Sequence, residues 1–396
     1  MRGRAYLVLS ALFMGYVMEN LLRSAASALS PILMEEFRLT YSEMGLLFSA
    51  FFLLYTFMQL VSGVLSETVG PRRVILGFTL ISIFGVFLIY LSRDFYSFFI
   101  AQMLLGFGFS VFYINSVRLL SSWFRDGATA IGILSAASGI GSFTAYVGFP
   151  LFISLLGSWR LLFLLSLITL CLIELLYLSS LRYGPYRVEG DSEERVSTLL
   201  IEALKVRELY PLYVGYALMS FGWVLFPWLP KYLMEHGGLT YFEADLISSL
   251  STIAGIPGCI IIPYISNRVR SRRKPLIGAS LIQLLLLIIL IEMRRGAPLL
   301  LYALIVFPLG VSSSLWVLPF SMITELMGRG AGIALGLLNF LGFLCFTLAS
   351  PLYGYLIDKT GGYYASNILS ISAYSLSIIS FLFSTETYRD RGLPEE

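Results

Sequence analysis

Apolar residues in this chain neither alternate nor form a narrow stripe on polar segments. They run on for about 20 residues at a time, long enough to cross a bilayer as a helix. Twelve such runs can be drawn, at 6–33, 44–66, 74–92, 97–122, 128–154, 161–181, 210–234, 243–265, 275–292, 297–323, 330–356 and 363–384. The expected fold class is all-α, a polytopic membrane protein with twelve transmembrane helices. Glycine and proline interrupt several runs, which spanning helices tolerate because neighbouring groups take up the freed backbone. The opening Met1-Arg-Gly-Arg and the apolar run after it resemble a secretion signal. That run continues to Leu33 and eleven more follow, so it reads as the first span.

Loop charge orients the chain. With the N-terminus placed in the cytoplasm, cytoplasmic segments carry 18 Lys and Arg and outer segments seven, while Arg23 and Arg118 lie within spans. Basic loops stay inside, so the expectation is a multi-pass cell-membrane protein with both termini cytoplasmic. Composition agrees: 57% of residues are apolar, 13% are charged and mean hydropathy is +0.82. Soluble domains carry about 25% charged residues. So few charges exclude an ordinary soluble enzyme, a disordered chain and a coiled coil. The protein's expected surroundings are a lipid bilayer. A net charge of +3, with no basic run interleaved with aromatics, argues against a nucleic-acid partner. Cys171, Cys259 and Cys345 are far apart inside apolar runs, and His236 is the one histidine. That inventory suggests neither disulfides nor a metal or cofactor. No P-loop, CxxC or Ser-His-Asp set appears, so neither an enzyme nor an ATP-driven pump is expected.

The most polar interior stretch, 182–209, holds five basic and six acidic residues. It reads as a solvated connector containing a short surface helix near 196–209. The expected organisation is a six-helix bundle at 1–181, the connector, a second six-helix bundle at 210–384 and a cytoplasmic tail at 385–396. The two bundles repeat at an offset of 200. LTYSEMGLLFSAF (39–51) lies over LTYFEADLISSLS (239–251) with six identities in 13. GVLSETVGPRRV (63–74) lies over PYISNRVRSRRK (263–274) with four in 12. A parallel repeat suits two halves rocking around a midplane site.

On these residues the chain resembles the major facilitator superfamily along its whole length. The family signature between helices 2 and 3, G-x-L-[SA]-D-[RK]-x-G-R-[RK], reads here Gly63-Val64-Leu65-Ser66-Glu67-Thr68-Val69-Gly70-Pro71-Arg72-Arg73. Glu67 stands for the usual Asp and Thr68 for the first basic residue. A degenerate copy runs from Pro263 through Arg272 to Arg273, with Asn267 at the acidic position. The resemblance implies that Glu67 and the adjacent arginines latch the cytoplasmic side in the outward-facing state. It implies no cofactor. A plain basic stop signal is the alternative, and Gly63 and Gly70 also suit close packing and a tight turn. The drug-exporter branch carries G-x-x-x-G-P-x-x-G-G in helix 5, whereas this chain reads Ser138-Gly139-Ile140-Gly141-Ser142-Phe143.

Charge inside a span marks candidate chemistry, because each ion costs about 2.5–3.5 kcal/mol at a helix centre on insertion scales. Tyr16, Glu19, Asn20, Arg23, Ser27 and Ser30 form one polar stripe on the first span, with Glu19 and Arg23 spaced as an i, i+4 pair. Such a stripe must face protein or water, and the resembled fold lines its central cavity with helix 1. Arg23 is the candidate anchor for an anionic substrate group, with Glu19 positioning it or exchanging a proton. A structural ion pair is the alternative. Other candidate substrate contacts are Tyr55 and Gln59 on span 2, Tyr113 and Asn115 on span 4, Trp223 on span 7, Trp316 on span 10 and Asn339 on span 11. Arg118 lies near the cytoplasmic end of span 4 and reads as a gating or snorkelling residue. Glu174 stands alone on span 6, and Glu325 reads as interfacial. The second half reads as lacking a deep charge, which leaves Glu19 as the midplane carboxylate.

The expected function is secondary transport of a small organic solute, an organic anion such as a carboxylate, by a monomer working through alternating access, with the proton as a candidate coupling ion. The competing readings are an exporter of drugs or amphiphiles and a carrier of neutral solutes.

Overall fold

The computed structural model describes residues 2–124, 127–186, 201, 203–327 and 330–388. Twelve helices in it are long and apolar enough to cross a membrane. They are α1 (Gly3–Ala28), α2 (Tyr41–Gln59, continuing as helix to Thr68), α3 (Pro71–Leu91), α4 (Phe95–Ser121), α5 (Thr129–Leu156) and α6 (Trp159–Ser180) in the first half. The second half holds α7 (Arg207–Glu235), α8 (Tyr241–Val269), α9 (Arg273–Ile291), α10 (Leu299–Met327), α11 (Ala331–Thr360) and α12 (Tyr364–Leu382). An even number of crossings puts the start of α1 and the end of α12 on one face, the terminus side; the other face is the far side. Of the expected connector helix near 196–209, residues 196–200 and 202 lie outside the described residues, 203–205 are helical and Arg207–Leu209 form a 3-10 turn.

Local sequence explains the helix ends. The repeated Leu-Thr-Tyr-x-Glu blocks are capping boxes. Thr40 and Thr240 accept from the backbone N–H of Glu43 and Glu243, whose carboxylates accept in return. Asp94 caps α4 through the N–H of Ser97 at 2.9 Å. These backbone hydrogen bonds hold the exposed Asp94 carboxyl below its usual range. Before α3, Gly70 adopts φ 91°, a left-handed turn that Pro71 then converts into helix.

Four spans are broken at mid-depth. α4 is interrupted between Phe109 and Phe112, α7 between Gly222 and Leu225, α8 between Ile253 and Gly255, and α10 by the 3-10 turn Ser314–Trp316. α4 and α10 are equivalent helices of the repeat, so both halves carry a discontinuity at the same place.

The halves meet along two seams. α2 packs on α11, the most extensive helix pairing, and α8 packs on α5. Glycines set the first seam. A Cβ on Gly45 would sit 2.4 Å from the Ser350 carbonyl oxygen, and one on Gly354 would sit 2.1 Å from that of Tyr41. Among the described residues, hydrogen bonds between the halves lie toward the far side. Asp358 accepts from the N–H groups of Tyr41 and Ser42 at 3.0 and 2.8 Å, so a carboxylate of α11 caps the N-terminus of α2. Tyr41 and Tyr363 both donate to Glu235, which also pairs with Lys231 at 2.9 Å. Ser49 donates to the Thr347 carbonyl at 2.6 Å. The ion pairs and hydrogen bonds described on the terminus side stay within one half. The described polar contacts between the halves thus close the far side, and those described on the terminus side hold each half to itself.

Widening the α2–α11 seam should undo that closure. Gly45→Val is expected to cost about 1–3 kcal/mol by overpacking and to raise labelling of a far-side cysteine by a membrane-impermeant reagent. Unchanged labelling would show that the seam does not set the closed state.

Candidate functional site

The polar stripe on α1 divides when the helix is packed. Glu19 shares a face with Gly15, where a Cβ would sit 1.6 Å from the Tyr177 hydroxyl and 2.9 Å from the Phe112 ring. That face turns into the first bundle. Glu19 is fully buried, and neither carboxylate oxygen has a hydrogen-bond partner. The expected Glu19–Arg23 ion pair does not form. Arg23 instead donates from Nη2 to Asn20 Oδ1, one turn back on a different face. Asn20, fully buried, spends its own amide on the Tyr16 carbonyl at 2.7 Å. Arg23 remains half-buried, with most guanidinium donors unspent.

Three tyrosines approach this group. Tyr16 lies against Tyr113 with ring centroids 5.3 Å apart, and Tyr113 hydrogen-bonds Ser135 of α5 at 3.0 Å. Tyr55 of α2 sits in the electrostatic field of both Glu19 and Arg23. Its ring also meets Phe343 of α11 at 5.3 Å, and Phe52 meets Phe343 and Phe346 at 5.5 and 4.9 Å. These rings floor the space on its far side.

The α4 break explains two further candidates. It frees the Ser110 carbonyl, which accepts from Gln59 Nε2 at 3.3 Å. Asn115 is fully buried and joins α4 to α2, donating to the Val111 carbonyl at 2.7 Å and to Ser62 at 3.4 Å. In the second half, Trp316 and Phe320 are 5.3 Å apart, Phe320 and Tyr216 5.9 Å, and Tyr216 and Trp223 6.3 Å. That aromatic row links α10 to α7. Asn339 is half-buried on α11.

Two corner pairs occupy the terminus side. Arg118 of α4 lies 3.6 Å from Glu67 at the end of α2. Arg72 donates to the Leu178 carbonyl at 3.2 Å, Arg73 is exposed, and Tyr183 closes over Gly70. A Cβ on Gly63 would meet nothing within 4 Å, so close packing does not explain that glycine here. The second half reverses the charges. Arg272, from the loop, chelates Glu325 of α10 at 2.9 and 3.1 Å and also donates to Asn267 at 2.6 Å and Ser266 at 3.1 Å. Arg273 donates to the Leu382 carbonyl. Just beyond α12, Glu386 accepts from the N–H of Arg272 at 2.8 Å. Burial pushes its carboxyl up, but hydrogen bonds from Ser271 and from backbone N–H groups outweigh this and leave it low.

The sequence reading passes over Asp245, an acid of the second half that lies about one turn into α8 rather than at mid-depth. It is fully buried in α8, and neither of its carboxylate oxygens is hydrogen-bonded. A charge in the first two turns of a span looks interfacial in sequence; α5 of the other half buries it.

Comparison with known proteins gives the family. The model described as Major Facilitator Superfamily matches residues 12–350. The chain belongs to that superfamily of membrane transporters. It is 25% identical to a probable sulfoacetate transporter, SauU, of Cupriavidus necator, over 96% of this chain and 93% of the relative. It is 23% identical to a hexuronate transporter of Bacillus subtilis, over 95% and 94%. A D-galactonate transporter of Escherichia coli is 26% identical, over 94% and 93%. Among solved structures, a bacterial homologue of the human lysosomal transporter Spinster, described as inward-facing and unoccupied, superposes with a TM-score of 0.76 at 17% identity, covering 97% of this chain and 95% of that one. That likeness carries the six-plus-six fold.

The corner pairs should differ in strength. Arg118→Ala removes a long, half-exposed pair and is expected to cost less than about 1 kcal/mol. Arg272→Ala leaves Glu325 with only the Thr387 hydroxyl at 2.6 Å and removes the donor to Asn267, and is expected to cost about 2–3 kcal/mol. Thermal unfolding of the detergent-solubilised variants reads both, and equal losses would contradict this ranking.

Proposed function

We propose that the protein is a secondary transporter of a small organic acid that works by alternating access. The observation that carries this reading is Arg23: a half-buried guanidinium at the heart of α1, held by one amide oxygen, with donors left over for a carboxylate or sulfonate. Relatives named for sulfoacetate, hexuronate and D-galactonate support it, because each name denotes a small acid. Tyr16, Asn20, Tyr55, Gln59 and Tyr113 line the first-half wall of the proposed site. Trp223, Trp316 and Asn339 line the second-half wall. Asn115, which ties α4 to α2, holds the first-half wall in place.

The bundles 1–181 and 210–384 rock about this site, joined by the connector 182–209. Glu67, Arg72, Arg73 and Arg118, with Asn267, Arg272 and Arg273, dock across the terminus side when it closes. The basic-loop bias supports a cell-membrane protein with both termini in the cytoplasm, so the terminus side faces inward; the carrier works as a monomer. Glu19, buried without a partner, is the first-half carboxylate placed to exchange a proton with the anion site.

Uptake of labelled acids into proteoliposomes, with sugars and organic cations as controls, tests the reading. Arg23→Ala is expected to lower acid uptake at least about 100-fold, the loss of a buried charge-assisted contact of about 3 kcal/mol, and Arg23→Lys to restore part of it. Wild-type uptake by Arg23→Ala would remove Arg23 from the site. Uptake of cations alone would replace the anion reading.

A further inference from the structure

Asp245 plays no part in the anion site, yet it occupies the α5–α8 seam. Its face of α8 is the one turned toward the first half. Tyr241, one turn earlier, donates to the Ala28 carbonyl of α1 at 3.0 Å. Thr252 and Ile256, farther along the same face, press on Gly139 of α5. The two helices run antiparallel, so Tyr146, two turns beyond Gly139, comes opposite Asp245, and the two groups feel each other electrostatically. In the other seam the repeat places Gly45 at the equivalent position, pressed on the α11 backbone. One seam is built on a glycine and the other on an acid.

The two phenols that approach Asp245 have committed their protons elsewhere. Ser27 donates to the Pro227 carbonyl at 2.6 Å, so Tyr146 must be the donor in its 2.9 Å bond to Ser27. The Tyr241 proton goes to Ala28. Neither phenol has a proton left for Asp245. Of the other groups on neighbouring helices, Arg23 of α1 acts on Tyr146, Lys231 and Glu235 of α7 are spent on each other, and Tyr302 of α10 points to the Arg294 carbonyl. A carboxylate sealed there has no donor and no cation, an arrangement that proteins avoid.

We propose that Asp245 is a proton-binding site that controls far-side closure: the seam shuts on the neutral acid and parts when the proton is lost. On opening, the carboxylic O–H bond breaks and the proton passes to far-side water. On closing, a proton from that water rejoins the carboxylate. The proposal rests on the alternating-access reading. Acid therefore favours the closed far side and base the open one, and one linked proton changes the open-to-closed ratio about tenfold per pH unit while the site titrates.

The test places spin labels at Leu155 and Phe242, exposed residues at the far-side ends of α5 and α8, in full-length protein with its three cysteines replaced by serine, in nanodiscs. The fraction with separated labels is expected to rise with pH. Asp245→Asn should stay closed throughout, and Glu35→Gln, at an exposed far-side acid, should keep the pH response. A pH profile unchanged by Asp245→Asn, or labels that never part, would overturn the proposal. As a check independent of that variant's folding, wild-type protein carrying carboxyl-labelled aspartate should show a protonated aspartic-acid carbonyl band in infrared spectra at neutral pH; absence of the band would also overturn it. A pH-dependent seam in a protein that takes up no organic acid would sink the substrate reading and leave this site standing. Acid uptake with a pH-independent seam would do the reverse.

Discussion

Hydrocarbon offers no hydrogen bonds, and that constraint arranges the polar groups of this protein. Where a helix breaks, something must take up the freed backbone group: Gln59 meets the Ser110 carbonyl. Where a hydroxyl is buried, its proton finds a carbonyl, as Ser27 finds Pro227 and Tyr241 finds Ala28. The same pressure makes the exceptions informative. Glu19 and Asp245 are buried with no partner for any carboxylate oxygen. Arg23 has more donors than acceptors around it. These are the places where a solute, a proton or a movement of the halves completes the chemistry.

The closed far side combines two kinds of contact. Glycines bring the α2 and α11 backbones together, and there the shape of the main chain does the holding. Polar groups then fasten the rim: Asp358 caps α2, and Glu235 gathers Tyr41, Tyr363 and Lys231. The terminus side has no such union between halves among the described residues. Its charged corners are satisfied internally, with the acid on α2 in the first half and on α10 in the second.

Spans were legible in the sequence because each is a local run of apolar residues. The repeat was legible for a similar reason: Thr40, Glu43, Thr240 and Glu243 serve the start of their own helices, so the signal is short-range. Gly70 was readable as a turn, and its φ agrees. Side-chain partners were harder. Spacing paired Glu19 with Arg23, but the choice fell to Asn20 because α6 and α4 pull the Glu19 face into the bundle. Asp358 meets residues more than 300 positions away, and Asp245 is buried by a helix of the other half. No local pattern encodes either contact.

The aromatic floor of Phe52, Tyr55, Phe343 and Phe346 also has an electrical meaning. In the proposed alternating-access cycle, water filling an inward-open chamber would carry that compartment's potential down to these rings. The transmembrane voltage, worth about 2.3 kcal/mol per charge per 100 mV, then drops across the thin layer above them rather than across the full bilayer. Lys231, Glu235 and Asp358 stand in that layer. The floor is thus an insulator, and the charges behind it sit where the field is steepest.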